Sequence, residues 1–416
     1  MKKSIEVRFL SLGMALLAIA AFFTLHPRGR LFLSPQNLSN LSIELAVTAV
    51  LALGMLLVLL PGMIDLSVGS GVGMLGGLAA VLIVKPDFIW PGMPDWPPAL
   101  ALLATLLLAM AIWALMGALI SRLRIPAFII TLGGLLIFKG LHWAIIHNAT
   151  IPVAVGGQEN IYSLLTTYYL PEWASYVLGG LVALGIGISR MRARRLRRAH
   201  GLPVDEAQTA FIGVFIGLQA LLLLIVVLNL YKGVPLALVV LGAVAWATQV
   251  ITQHTSFGRY LYAIGSNEDA AVLSGINVNA VVICAYVALG AIVAVAGFMQ
   301  TAYGGYSTTT VGNLMELDAI AACVIGGTSL KGGRGTVLGV LCGALIMATL
   351  LNGMTLLAVT PELKTIARGT VLVLAVWMDV WLSRRYGAGA GMRPGSDQIK
   401  ALHERPAAGA AGVGPN

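Results

Sequence analysis

Twelve apolar runs, each close to the length that crosses a bilayer, occupy most of this 416-residue chain. They lie at about 9–26, 41–60, 63–84, 99–120, 127–147, 174–189, 210–230, 235–253, 280–301, 317–330, 336–357 and 366–382. A helix needs about 20 apolar residues to span hydrocarbon. Backbone in that setting must satisfy its own hydrogen bonds, which leaves helices or a closed barrel. The runs are continuous rather than alternating, so they predict helices. The expected fold class is an all-α polytopic membrane protein with about 10–12 transmembrane helices. Hydrophobic residues make up 58% of the chain and charged residues 10%, against about 25% charged in soluble domains. That balance excludes a water-soluble enzyme, a disordered chain and a nucleic-acid binder. A transmembrane body is expected over residues 1–385, with a flexible Gly-, Ala- and Pro-rich tail over 386–416.

Two runs are interrupted, which predicts broken or re-entrant segments. Pro61-Gly62 separates the second run from the third, and the tenth is too short to cross unaided. Residues 9–25 follow Lys2 and Lys3 and have the outline of a signal peptide. A polytopic protein can keep its first span uncleaved, and that reading is preferred. Charge sets the orientation. With the N-terminus inside and alternating crossings, 19 of the 26 basic residues fall on the inner side, as cytoplasmic loops require. Both termini are then cytoplasmic. The loop 190–209 carries Arg190, Arg192, Arg194, Arg195, Arg197 and Arg198 and is read as a topology determinant against anionic membrane lipid. The loop 148–173 on the outer side has no Lys or Arg.

Three segments carry more than hydrophobicity. The first is Ile64-Asp65-Leu66-Ser67-Val68-Gly69-Ser70-Gly71, where Asp65 has the type and place of a helix N-cap and Gly69 permits close helix packing. The second is the inner loop 254–279. There Gly265 can break the chain, Ser266 or Asn267 can cap a short helix through Leu273 with Glu268 and Asp269 in its first turn, and Gly275 can end it. The third runs from Glu316 to Gly335, with Gly326, Gly327, Gly332 and Gly333 in a tight basic turn read as a hinge. Its glycines do not make a phosphate loop, because G-x-x-x-x-G-K-[ST] occurs nowhere in the chain. A shift of 264 residues aligns Gly62, Leu66, Gly69 and Gly71 with Gly326, Leu330, Gly333 and Gly335, which suggests an internal repeat.

Catalytic and metal constellations are not expected. His26, His142, His147, His200, His254 and His403 are scattered, and His142 and His147 are placed at the interface. Cys284, Cys323 and Cys342 lie in apolar runs without ligand spacing. Ionisable residues within spans are functional candidates, and here they are few: Glu44, Lys139, Arg368 and Asp379. That scarcity favours a neutral solute and an energy source outside the chain.

The three segments in this order, followed by Asn352-Gly353, resemble the permease subunits of bacterial ABC importers for monosaccharides, the ribose, xylose, arabinose and galactoside group. The likeness runs from about residue 22 to 378. The last segment, Leu374-Ala375-Val376-Trp377-Met378-Asp379, resembles the xylose-transporting members in particular, as do 319–330 and the extra pair of spans around the arginine tract. The resemblance implies an inner-membrane homodimer, two cytoplasmic ATPase subunits that use ATP and Mg²⁺, and a periplasmic sugar-binding protein. This chain would hold no cofactor and catalyse no reaction. It implies ATPase docking through Gly265, Asn267, Glu268, Ala271, Leu273, Ser274 and Gly275. Val272 replaces the Arg usual before Leu-Ser-Gly-Ile, and Ser266 replaces a common second Gly. Asp65, Ser67, Ser70, Asn313 and Asn352 are the candidates for the solute path. The expected function is D-xylose import, with ribose, arabinose or galactose as alternatives. An ion-coupled secondary transporter and a transport-inactive membrane receptor are the competing classes.

Overall fold

The computed structural model describes residues 2–154, 158–201 and 207–387. Each of the twelve apolar runs is a helix. In chain order these are α1 (Lys2–Leu25), α2 (Pro35–Leu59), α3 (Val68–Val84), α4 (Pro98–Leu123) and α5 (Ala127–Ile145). A short α6 (Ile161–Thr167) is followed by α7 (Glu172–Ala199), α8 (Ala207–Asn229) and α9 (Leu236–His254). Two small helices, α10 (Ser256–Ser266) and α11 (Glu268–Leu273), precede α12 (Val278–Gly304), α13 (Met315–Ile325), α14 (Val337–Leu356) and α15 (Pro361–Gly387). The tail beyond Gly387 lies outside the described residues. Among the described residues, seven helices (α2, α4, α5, α7, α9, α12 and α14) are long and apolar enough to cross a membrane.

Burial sorts the helices into two shells. The apolar windows of α2, α14 and α12 are mostly buried, while those of α4, α5, α7 and α9 expose most of their surface. A helix that is apolar all round belongs inside, and α2 reads that way from Leu45 to Leu59, Thr48 apart. Outer helices instead turn residues such as Leu107, Leu136 and Trp246 outward, where only lipid tails would meet them. Packing inside relies on small residues. A Cβ on Gly54 would press on Ile292 at 2.8 Å, and one on Gly290 would press on the Ala109 carbonyl at 2.7 Å.

The interrupted segments are short helices. At 1.5 Å per residue α13 is about 16 Å long, roughly half the hydrocarbon thickness. Between α12 and α13 the chain runs through residues 305–314 without regular helix. There Val311 and Gly312 reach the Gly69–Gly73 face of α3. The loop after α5 is also structured. Ile151–Pro152 (β1) pairs antiparallel with Tyr306–Ser307 (β2). The segment α6, capped by Asn160 and Ser163, sends Tyr162 to the Gly76 carbonyl at 2.8 Å. None of this was legible in a stretch read simply as a loop.

Three local expectations need correction. The arginine tract is not a loop, because α7 continues through it to Ala199; residues 202–206 of the expected 190–209 loop lie outside the described residues. His142 is not interfacial. It is buried against Gly73 and Gly77 with Nε2 3.1 Å from Ser307 Oγ. The repeat register moves by one residue. Both α2 and α13 end in Schellman turns, with Met63 N–H donating to Val58 and Thr328 N–H donating to Cys323. The positive-φ glycines of these turns are Gly62 (87°) and Gly327 (91°), whereas Gly326 is helical at −65°. Gly62 therefore corresponds to Gly327, and the shift is one residue longer than 264.

Candidate functional site

A polar cavity of about 380 Å³ opens at the end of the bundle opposite α10 and α11. Its wall comes from α2, the C-terminal end of α12, the 305–314 segment, α13, α14 and α15. Glu44 projects from α2, and its Oε1 accepts from the Tyr303 hydroxyl at 3.0 Å. Asn352 bonds to the same carboxylate and accepts from Asn37 Nδ2 at 2.9 Å. Across the cavity Arg368 of α15 pairs with Asp318 of α13 at 3.2 Å. Asp318 sits in the first turn of α13, where the helix dipole favours a carboxylate. Lys364 donates to Thr355 at 3.0 Å, and the Thr308 and Thr310 hydroxyls lie 3.0 Å apart. Both signs of charge are present: Arg368 is matched to Asp318, while Glu44 is held by the neutral Tyr303 and Asn352.

A second polar group lies deep in the protein. Asp65 is 0% exposed. Its Oδ1 accepts from the Ser67 backbone N–H at 2.7 Å and the Ser67 hydroxyl at 2.6 Å, and its Oδ2 accepts from Trp113 Nε1 at 3.0 Å. The cap position of α3 belongs to Ser67, two residues later, and that side chain makes no capping bond. Asp65 instead closes the turn before α3 and ties it to α4. Such a carboxylate, buried among three donors, holds structure and touches no open space.

A third feature joins all three sequence motifs. The Gly333 N–H donates to the Leu60 carbonyl at 2.9 Å. A Cβ on Gly332 would lie 2.8 Å from Leu60 O, Gly62 N and the Gly265 Cα alike. A Cβ on Gly265 would strike the Leu60 carbonyl and Gly333 N. Backbone therefore meets backbone where the α2–α3 turn, α10 and the α13–α14 turn cross. Tyr262 of α10 adds a bond to the Gly335 carbonyl at 2.8 Å. Burial raises this phenol above its ordinary range while Gln253 opposes it, so it stays a neutral donor. Next to the junction, α11 begins with Asn267 accepting from Ala270 N–H at 2.9 Å. It ends in a Schellman turn with Gly275 at φ 81°. Ala271 is buried beneath α11, and Leu273 is 88% exposed.

Residues 37–376 match the family described as "Branched-chain amino acid transport system / permease component". The chain is 39% identical to the xylose transport system permease protein XylH of Escherichia coli strain K12 over 388 residues, covering 92% of this chain and 94% of that protein. The chain belongs to this permease family. It is also 37% identical to the XylH of Haemophilus influenzae over 91% of the chain and 97% of that protein. To the ribose import permease protein RbsC of Escherichia coli strain K12 it is 34% identical over 89% of the chain and 92% of that protein. No solved structure gives a significant match. The permease is thus a multi-pass membrane transport subunit rather than an enzyme.

The expected path residues do not form one group in the permease. Asn313 lines the cavity, and Asn352 stands behind it through Glu44. Asp65 and Ser67 belong to the buried turn, and Ser70 bonds back to the Ser67 carbonyl at 3.0 Å. Gly69 packs on Glu316, and Gly326 packs on Gly339. Gly265 lies inside α10 and serves the junction, while Asn267, Glu268, Leu273, Ser274 and Gly275 are exposed. The cavity residues Tyr303, Gln300 and Asp318 were missed as a site. Glu44 and Arg368 did carry a signal, as charges inside apolar runs. Among the described residues no cluster could hold a metal ion.

Proposed function

We propose that this chain is the membrane-spanning permease subunit of an ATP-driven pentose importer, and that its solute is D-xylose. The observation that carries the reading is near full-length similarity to xylose permeases at a level above that to the ribose permeases. In this reading two copies form the pathway in the bacterial inner membrane, with both termini in the cytoplasm. Two ATPase subunits bind and hydrolyse ATP with Mg²⁺ outside this chain, and the chain itself holds no cofactor. They dock on α11, whose buried Ala271 anchors it while Leu273 and Glu268 face out. A periplasmic sugar-binding protein delivers solute at the other end, where the polar cavity opens. ATP-driven closure of the partners biases a two-state bundle between outward and inward forms.

The test is labelled xylose uptake in right-side-out vesicles that contain this chain, with and without the ATPase and the binding protein. Uptake that needs both partners and internal ATP supports the importer. Uptake by the chain alone on an ion gradient would overturn it in favour of a secondary transporter. Ribose as the preferred solute would keep the importer and change its sugar.

A further inference from the structure

The cavity itself says what kind of solute it suits. The one basic group in its lining, Arg368, is already paired with Asp318, and Glu44 accepts the neutral Tyr303 hydroxyl. A zwitterion would need a free cation for its carboxylate, and the lining supplies none. The wall does offer many hydrogen-bonding groups of both kinds, with Glu44, Gln300 and Asn313 as acceptors and Thr308, Thr310 and Arg368 as donors. Between them stand the rings of Tyr303 and Tyr306 and the side chain of Met315. A ring whose hydroxyls point outward and whose C–H faces are apolar matches this alternation. The volume of about 380 Å³ falls in the range of about 300–1,000 Å³ that small-molecule sites occupy.

We propose that the permease carries its own recognition site for a neutral, hydroxyl-rich monosaccharide in this cavity, with Glu44 and the Asp318–Arg368 pair as its polar poles. The permease then selects its solute a second time, after the binding protein has released it. This proposal rests on the importer reading above. Its test uses the permease assembled with its ATPase in membrane vesicles, without the binding protein. Thr310→Cys places a thiol at the exposed rim of the cavity, to be labelled from outside by a membrane-impermeant maleimide. The parent chain controls for Cys284, Cys323 and Cys342. Xylose at twice its Kd should slow labelling about threefold by occupancy, and leucine should not slow it. Glu44→Gln should abolish the protection. Tyr303→Phe, which keeps the ring, should weaken it, and serves if the Glu44 variant fails to assemble. No protection at any sugar concentration, in vesicles that import xylose once the binding protein is added, would overturn the site and leave the importer reading intact. Equal protection by leucine would also overturn it. Absence of both protection and import would count against the importer reading itself.

Discussion

Asp65 shows how much of a residue's work is set by neighbours that lie far from it in sequence. Its sequence context suggests a helix cap or a solute contact. In the fold it accepts three hydrogen bonds with no exposure. Asp65→Ala should lower thermal stability by about 1–3 kcal/mol for each donor left unpaired. A double-mutant cycle with Trp113→Phe, read by unfolding in detergent, should be non-additive because the two share one bond. Additive losses would show that the bond carries no energy. Gly265→Ala offers a different residue-scale check. The added methyl strikes the Leu60 carbonyl, which belongs to the backbone and cannot swing aside. A loss of about 1–3 kcal/mol is expected from overpacking, together with reduced uptake. The sequence suggested that Gly265 breaks the chain, but α10 runs through it and the glycine instead makes room for neighbouring main chain. A contact between two main chains leaves no side-chain pattern to read.

At the scale of elements, α11 followed its sequence closely. An Asn cap, acidic residues in the first turn and a terminal glycine each act locally, and each appears in the fold. Gly275→Val meets no neighbour within 4 Å, so its cost is left-handed backbone alone, about 1–2 kcal/mol. The expected outcome is normal membrane insertion with weakened ATPase co-purification. Unchanged co-purification would remove α11 from the docking surface. Leu273→Asp alters no packed contact and should leave thermal stability unchanged while reducing the same co-purification. The cavity, by contrast, was hidden. Its polar members come from positions as far apart as 44, 303, 318 and 368. Only the crossing of α2, α12, α13 and α15 brings them together.

For the whole molecule, the twelve runs were readable because bilayer thickness fixes run length more strictly than any local propensity. The outer shell of the fold is less uniform than the sequence suggests. The pair α7 and α8 packs in a small apolar cluster around Ile225 and Leu228, apart from the main core, and Val234 and Leu238 at the start of α9 join that cluster. The chain on either side of the pair is drawn together by bonds from Leu170 to Val234 and from Leu236 to Tyr168, each about 3 Å. The pair therefore departs from and returns to one place. Removing residues 172–230 with a short linker should leave the remaining bundle folded, as judged by a monodisperse peak in detergent. Aggregation of that variant would mean that α7 and α8 are structural. The junction at Gly62, Gly265 and Gly332 has a different consequence. Side chains can absorb a push by changing rotamer, but main chains in direct contact cannot. A tilt of α10 would therefore be felt directly by the α2–α3 and α13–α14 turns that touch it. Asp318 sits at the other end of α13, about 16 Å away, where it meets Arg368. Any stroke made at the junction would thus have one short, stiff arm to travel before it reached the charge pair at the mouth of the cavity.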